Sequence, residues 1–361
     1  MQPDLTHPSS PDSIGKFMTR RELLASLALE LRKPATDAAR KLLDAAAASG
    51  KMRAASLYVR EGNTVLSAGF GAARPETPFL LASITKPMTA TGVMHLVDHR
   101  ELALTDPVRK FIPEFDGGGR EKITVHMLLT HTSGLPDMLP ENEELRKRHA
   151  PLADFVAATC KTPLLFSPGT RMKYQSMGIL LAAEIAQRIT GTPFPEYLRQ
   201  NVFLPLVMRE TTLGLGKRTI ASTAQCQAPA DNDWNWNSPY WRNLGVPWGG
   251  AHATAENVAR FLRSFLTADG RVVRTATAQM MIQNQNTKLK DPWGIGFSVK
   301  PGSFGKRCSA STFGHSGSTG TLCWTDPESG GCFVLLTTWP AAQSSQVLIQ
   351  PVSDSISESI V

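Results

Sequence analysis

Apolar positions along the chain change their period twice. From Pro34, "ATDAARKLLDAAAASG" places Ala39, Leu42, Leu43 and Ala46 on one stripe and stops at Gly50, which predicts an amphipathic helix. "AASLYVR" and "TVLSAGFG" then alternate or run apolar around the turn residues "EGN", the pattern of two half-buried antiparallel strands. Up to about Gly250 the pattern is helical with Pro and Gly punctuation, in "TVHMLLTHTSGLP", "LADFVAATC" and "MGILLAAEIAQRITG" ending on Gly191. The last third returns to strands: "WGIGFSVK", "TFGHSGSTGTLCWTD" and "GCFVLLTTW" are Gly-interrupted, β-branched and aromatic-rich. Leu348, Val352, Ile356 and Ile360 recur every four residues and predict a closing helix.

This order predicts an α/β (α+β) fold in which the first and last segments share an antiparallel sheet flanked by helices, with a mainly helical lobe inserted. The expected division is an N-terminal extension over residues 1–33 and one catalytic domain over 34–361. Its sheet lobe is expected from about 34–82 and 250–361, its helical lobe from about 83–249.

Composition narrows the class. With 361 residues, 42% hydrophobic and 19% charged, the chain can bury a large core. The formal charge of +7 is scattered, and the cluster "RKRH" at Arg146–His149 follows the acidic "ENEE", so it reads as a solvated helix face and not a nucleic-acid groove. No apolar run is long enough to predict a membrane span. The five cysteines show no metal-ligand spacing, and no cofactor is expected. Cys323 and Cys332 flank the turn signal "WTDPESGG" and could face each other across a hairpin, although the odd count favours free, buried thiols. Met1–Gly15 reads as a disordered or removable leader. Arg20-Arg21, followed by Leu23, Leu24 and Leu27, resembles a twin-arginine export signal, while Glu30 and Arg32 cut that run short. A cytoplasmic protein with a surface amphipathic helix is the other reading.

Three local patterns carry candidate chemistry. In "LLASITKPMTATGVMHLV", Ser83 and Lys86 lie three residues apart, and Pro87 fits the first turn of a helix beginning near Ser83. A serine hydroxyl needs a base to become nucleophilic, and an apolar setting lowers a lysine's pKa because desolvation disfavours its charge. Tyr174 follows the Pro-Gly turn of "SPGTRMKYQS" at a loop-to-helix junction, where a neighbouring ammonium would lower the phenol pKa. In "FGHSGSTGT", glycines 314, 317 and 320 suggest either a backbone approached closely by a ligand or a bulge or tight bend.

Taken in order, Ser83-Ile84-Thr85-Lys86, Tyr174-Gln175-Ser176 and His315-Ser316-Gly317 resemble the serine β-lactamase-like superfamily, closest to its class C β-lactamase and family VIII carboxylesterase branch. "LLTHTSGLP", "FSPGTRMKYQS" and "GGAHATAENVARFL" frame them, and the resemblance covers about Pro34 to Val361. It implies that Ser83 is the acylated nucleophile and Lys86 its proton-accepting or phenolate-stabilising neighbour. Tyr174 is then the general base, and the backbone N–H groups of Ser83 and Ser318 form the oxyanion hole. Two departures bear on substrate. Ser176 stands where the family usually has Asn, and His315 stands where β-lactamases usually carry Lys, which removes a permanent positive charge unless the histidine is protonated. Both favour a neutral ester over an anionic antibiotic.

The segment "DNDWNWNSPYWRNLGVPWGG" reads as an aromatic loop whose Trp234, Trp236, Trp241 and Trp248 could wall an acyl pocket beside Ser176, or simply close a large core. His126, His131 and His252 are expected to satisfy loop backbone groups. The expected function is a carboxylesterase acting on a small-molecule ester. A β-lactamase or D-Ala-D-Ala carboxypeptidase, an acyltransferase to an alcohol or amine, and a silent pseudoenzyme are the alternatives.

Overall fold

The computed structural model describes residues 36–229 and 231–360. The leader and the Arg20-Arg21 segment lie outside the described residues. The hairpin forms as β1 (Ala54–Glu61) and β2 (Thr64–Gly71), with Glu61 opposite Thr64 across the turn. β3 (Phe79–Leu80), β4 (Thr212–Leu213) and β5 (Ala251–Ala253) make a small antiparallel sheet in the order β3-β5-β4. β6 (Phe313–Gly317), β7 (Thr321–Thr325) and β8 (Cys332–Thr337) join the first hairpin in a five-stranded antiparallel sheet, ordered β2-β1-β8-β7-β6.

β1, β7 and β8 read as continuous apolar runs because both sheet faces are covered there, whereas the edge strand β2 buries only Phe70. Leu57, Val59, Trp324, Phe333 and Leu335 face the helix over residues 36–48 and the closing helix Gln350–Ile360, whose Val352, Ile356 and Ile360 are buried there. Each such side chain contributes roughly 1.5–3 kcal/mol of burial free energy. The alternate residues Tyr58, Cys323, Val334 and Leu336 face the other core, where, from the Ala255–Thr267 helix, Phe261 stacks on Phe297 and Phe265 meets Phe313 edge-on. Ala39, Leu43 and Ala46 are buried as the periodicity predicts, whereas Leu42 is exposed, so the stripe is narrower than expected.

The helical lobe packs around the Thr85–Asp98 and Met177–Thr190 helices. "WGIGFSVK" departs from the strand expectation, since Ser298 makes one isolated bridge to Gly314. Gly294 and Gly296 explain this: a Cβ on Gly294 would strike the Met281 carbonyl, and Gly296 sits at φ +78°. Cys323 and Cys332 are buried free thiols, two residues out of register, with Thr325 opposite Cys332. No described helix is long and apolar enough to cross a membrane.

Candidate active site

β3 runs into one tight turn at Ala82–Ile84 and then into the Thr85–Asp98 helix, with Pro87 in its first turn. Ala82 sits at φ +48°, a left-handed conformation that costs an L-residue roughly 1–2 kcal/mol. Hydroxyl groups hold the bend in place. Thr319 Oγ1 donates to the Leu80 carbonyl at 2.8 Å, Thr321 Oγ1 donates to the Leu81 carbonyl at 2.9 Å, and Thr85 Oγ1 accepts the Ala251 N–H at 3.0 Å.

The glycines of the third motif serve this packing. A Cβ on Gly314 would strike the Cys323 backbone, on Gly317 the Leu81 carbonyl and Thr321 hydroxyl, and on Gly320 the Trp339 carbonyl. Chain-to-chain approach therefore accounts for the glycine cluster, in the manner of the tight bend. Ser316, Gly317 and Ser318 border the cavity beside Ser83, and the Ser318 carbonyl is held by the Ala341 N–H at 2.9 Å.

Lys86 is 1% exposed, and its Nζ donates to Ser83 Oγ and to the Trp248 carbonyl, each at 3.1 Å. Burial lowers its pKa to about 7, partly opposed by the Asp137 carboxylate. The same Nζ lies 4.6 Å from the centre of the Tyr174 ring. Tyr174 is positioned by its neighbours: the Lys173 N–H donates to the His131 carbonyl at 2.9 Å, and the buried Gln175 side chain accepts from Ser133 Oγ and the Gly178 N–H, both at 3.1 Å. Burial raises the Tyr174 phenol well above its ordinary value, with Ser83 beside it pulling the other way. The lowered phenol expected from a neighbouring ammonium is thus not found, because desolvation dominates and Lys86 loses much of its own charge.

His315 is buried and its pKa falls to about 3, through burial first and the nearby Lys86 second. It is a neutral imidazole at working pH, so it does not stand in for the family's lysine charge. Its Nδ1 bonds the Ser316 carbonyl at 2.7 Å, which makes Nε2 an acceptor, and that atom is buried without a partner. Ser176 Oγ donates to Asp137 Oδ1 at 2.6 Å, so the position where an amide was expected carries a hydroxyl bound to a carboxylate.

These groups open on a cavity of about 850 Å³ whose wall includes Ser83, Tyr174, Ser176, His315, Trp236, Trp241 and Trp248. Trp234 is not in that wall, which corrects the expected set. The tryptophan segment is also more regular than a loop, because Pro239–Leu244 is a helix. Ser238 caps it by accepting the Trp241 N–H at 3.1 Å, and Gly245 ends it at φ +63°. The Ser-Pro and Gly that bracket it were the available signal.

Three features escape sequence reasoning. Arg242 is wholly buried and donates to Trp236 O, Asn237 Oδ1, Thr223 Oγ1 and Ala224 O at 2.7–3.1 Å, as well as meeting His252 Nε2 at 3.2 Å. His252 Nδ1 meets the Gly214 carbonyl at 3.0 Å, the backbone-satisfying role expected of it. His131 differs, since neither ring nitrogen has a partner and it packs between Tyr174 and Trp293. Arg146, read as part of a solvated face, borders the cavity, while its neighbours Lys147 and Arg148 do pair outward with Glu143 and Asp154.

Among known proteins, esterase EstB of Burkholderia gladioli is 35% identical over 152 residues, covering 38% of this chain and 38% of EstB. Protein flp of Staphylococcus aureus (strain MW2) is 28% identical over 208 residues, covering 52% of this chain and 42% of that protein. The chain thus matches less than half the length of these relatives. EstCE1, described as a hydrolase with promiscuous acyltransferase activity, shares the fold at TM-score 0.75 and 18% identity, covering 93% of this chain and 99% of that one. A penicillin-binding protein homologue from Caulobacter crescentus does so at TM-score 0.74 and 23% identity, covering 90% and 97%. The SxxK serine, the tyrosine and the His-Ser-Gly strand meet in one cavity, the Beta-lactamase family model matches residues 39–350, and the chain belongs to that Beta-lactamase family.

Proposed function

We propose that this protein is a carboxylesterase that acylates Ser83 with the acyl group of a small ester. The observation that carries this reading is Lys86: a buried amine with a pKa of about 7, 3.1 Å from Ser83 Oγ, is half neutral at physiological pH and can take the serine proton. The Ser83 oxygen attacks the ester carbonyl, and the backbone N–H groups of Ser83 and Ser318 accommodate the oxyanion. Tyr174, held as a phenol by its burial, passes a proton to the departing alkoxide and is reprotonated through Lys86. Water then attacks the acyl-enzyme by the same route in reverse.

The two departures support an ester over a β-lactam. A neutral His315 offers no charge to a carboxylate next to the scissile bond, and Ser176 is engaged by Asp137. A second reading, transfer of the acyl group to an alcohol or amine, is supported by the cavity: 850 Å³ walled by tryptophans is large for a small ester alone and can hold an acceptor.

Fluorophosphonate labelling followed by intact mass tests the nucleophile, with one adduct expected on the wild type and none on Ser83→Ala. An unlabelled wild type would mark a silent binding protein. Turnover of p-nitrophenyl butyrate is expected to far exceed that of a chromogenic cephalosporin, and the reverse order would make the protein a β-lactamase. Product analysis with a competing alcohol or amine separates hydrolysis from acyl transfer.

A further inference from the structure

The catalytic cavity holds a second cation that the mechanism above does not use. Arg146 lies on the short helix Asn142–Lys147, where Leu145 enters the core, Glu143 and Lys147 pair outside at 2.7 Å, and Asn142 and Arg146, one turn apart, border the cavity. The guanidinium carbon sits 3.8 Å from the centre of the Trp241 ring. An aromatic face holds a cation in place without neutralising it and leaves its N–H edges free.

No carboxylate pairs with Arg146 among the described residues. Arg148 takes Asp154, His149 takes Asp233, and Asp137, which shares the cavity wall, accepts from Ser176 instead. Arg146 Nε and Asn142 Oδ1 are both buried with no hydrogen-bond partner. Unsatisfied polar atoms of this kind are uncommon in folded proteins and call for a partner. Arg146 is the one Arg or Lys in this wall among the described residues, and His315 contributes no charge to the opposite wall.

We infer that Arg146, braced on Trp241 beside Asn142, binds a carboxylate that the substrate carries away from its scissile bond. This rests on the esterase reading and narrows it to anionic esters, in which the carboxylate belongs either to the acyl chain or to the alcohol. The planar fork of a guanidinium matches a carboxylate through two parallel hydrogen bonds, and partial burial strengthens them. Asp137 disfavours an anion close to Ser176, so the preference is for a carboxylate seated at Arg146 and not for negative charge in general.

The test compares matched esters. Mono-p-nitrophenyl adipate is set against p-nitrophenyl hexanoate for a carboxylate on the acyl side, and 4-carboxyphenyl butyrate against phenyl butyrate for one on the alcohol side. Each kcat/KM is normalised to fluorophosphonate-labelled sites, so that misfolded enzyme is not counted, in wild type, Arg146→Lys and Arg146→Gln. In the wild type, one carboxylate ester is expected to be preferred over its neutral partner. That ratio should fall about tenfold in Arg146→Gln, mainly through KM, and recover in part in Arg146→Lys. Absence of preference in both pairs, or a ratio unmoved by Arg146→Gln, overturns the inference. If none of the esters turns over, the esterase reading fails instead. Tryptophan fluorescence titration of Ser83→Ala with adipate, with and without Arg146→Gln, then decides the carboxylate site alone: binding lost with the arginine supports it, and no binding or equal binding overturns it.

Discussion

Lys86 and Arg242 are both buried basic side chains, one in the first turn of the helix that follows Ser83 and one in the tryptophan segment, and their surroundings treat them differently. Arg242 has acceptors on every side, two of them side chains and two backbone carbonyls, and although burial lowers its pKa to about 10 it stays charged at neutral pH. Lys86 has one serine oxygen and one carbonyl, and the same burial takes it to about 7. A guanidinium starts about two units more basic than an amine, so a comparable burial leaves Arg242 charged and brings Lys86 close to neutrality, while the four acceptors fix the arginine in place.

Removing each cation sharpens the contrast. Lys86→Met is expected to cut p-nitrophenyl butyrate turnover by about 10³–10⁴, the upper range for a positioned proton-transfer group, while the fold survives. An activity within tenfold of wild type would exclude Lys86 as the base. Arg242→Met should do the reverse, lowering stability by about 3–5 kcal/mol in denaturant unfolding because its acceptors are left buried and unpaired. A stability unchanged within about 0.5 kcal/mol would mean that the network is not structural.

Smaller effects follow from protons. The wild-type kcat/KM is expected to rise with pH through about 7 as Lys86 becomes neutral, with the midpoint unmoved in His315→Gln, since that histidine is uncharged throughout. A midpoint shifted by about a pH unit would show that His315 carries charge. Stability supplies the last comparison. Between about 7 and 10.5 the unfolded chain binds a proton at Lys86 that the folded chain does not, so stability rises with pH across this window. Between pH 7 and 9 that rise should be shallower in Lys86→Met.

The residues that meet around Ser83 were legible as candidates because their signals are local and ordered along the chain: Ser83 and Lys86 share a helix start, Tyr174 follows a Pro-Gly turn, and the Gly-rich strand places His315. Arg146 was not legible, because a cluster of charges averages over a helix, and only packing shows that Leu145 and Arg146 turn inward while Glu143 and Lys147 remain in water. Arg242 was hidden for a related reason. Its acceptors come from Thr223, Ala224, Trp236 and Asn237, and a guanidinium among polar loop residues looks solvated until the chain closes around it. "WGIGFSVK" had strand composition, yet Gly294 serves close approach to the Met281 carbonyl and Gly296 to Pro87 and Ala90 of the helix after Ser83, and neither serves a ladder.

The threonine bonds at the Ser83 turn have a mechanical meaning. Thr319 and Thr321, from the end of the large sheet, clasp the carbonyls of Leu80 and Leu81 at the end of the small one. Ser83 therefore sits on a rivet between two separately paired sheets, and its alignment depends on their registration against each other. A slight slip of one sheet along the other would unseat the serine while every strand kept its ladder, so the position of this one hydroxyl gauges how well the two halves are clamped together.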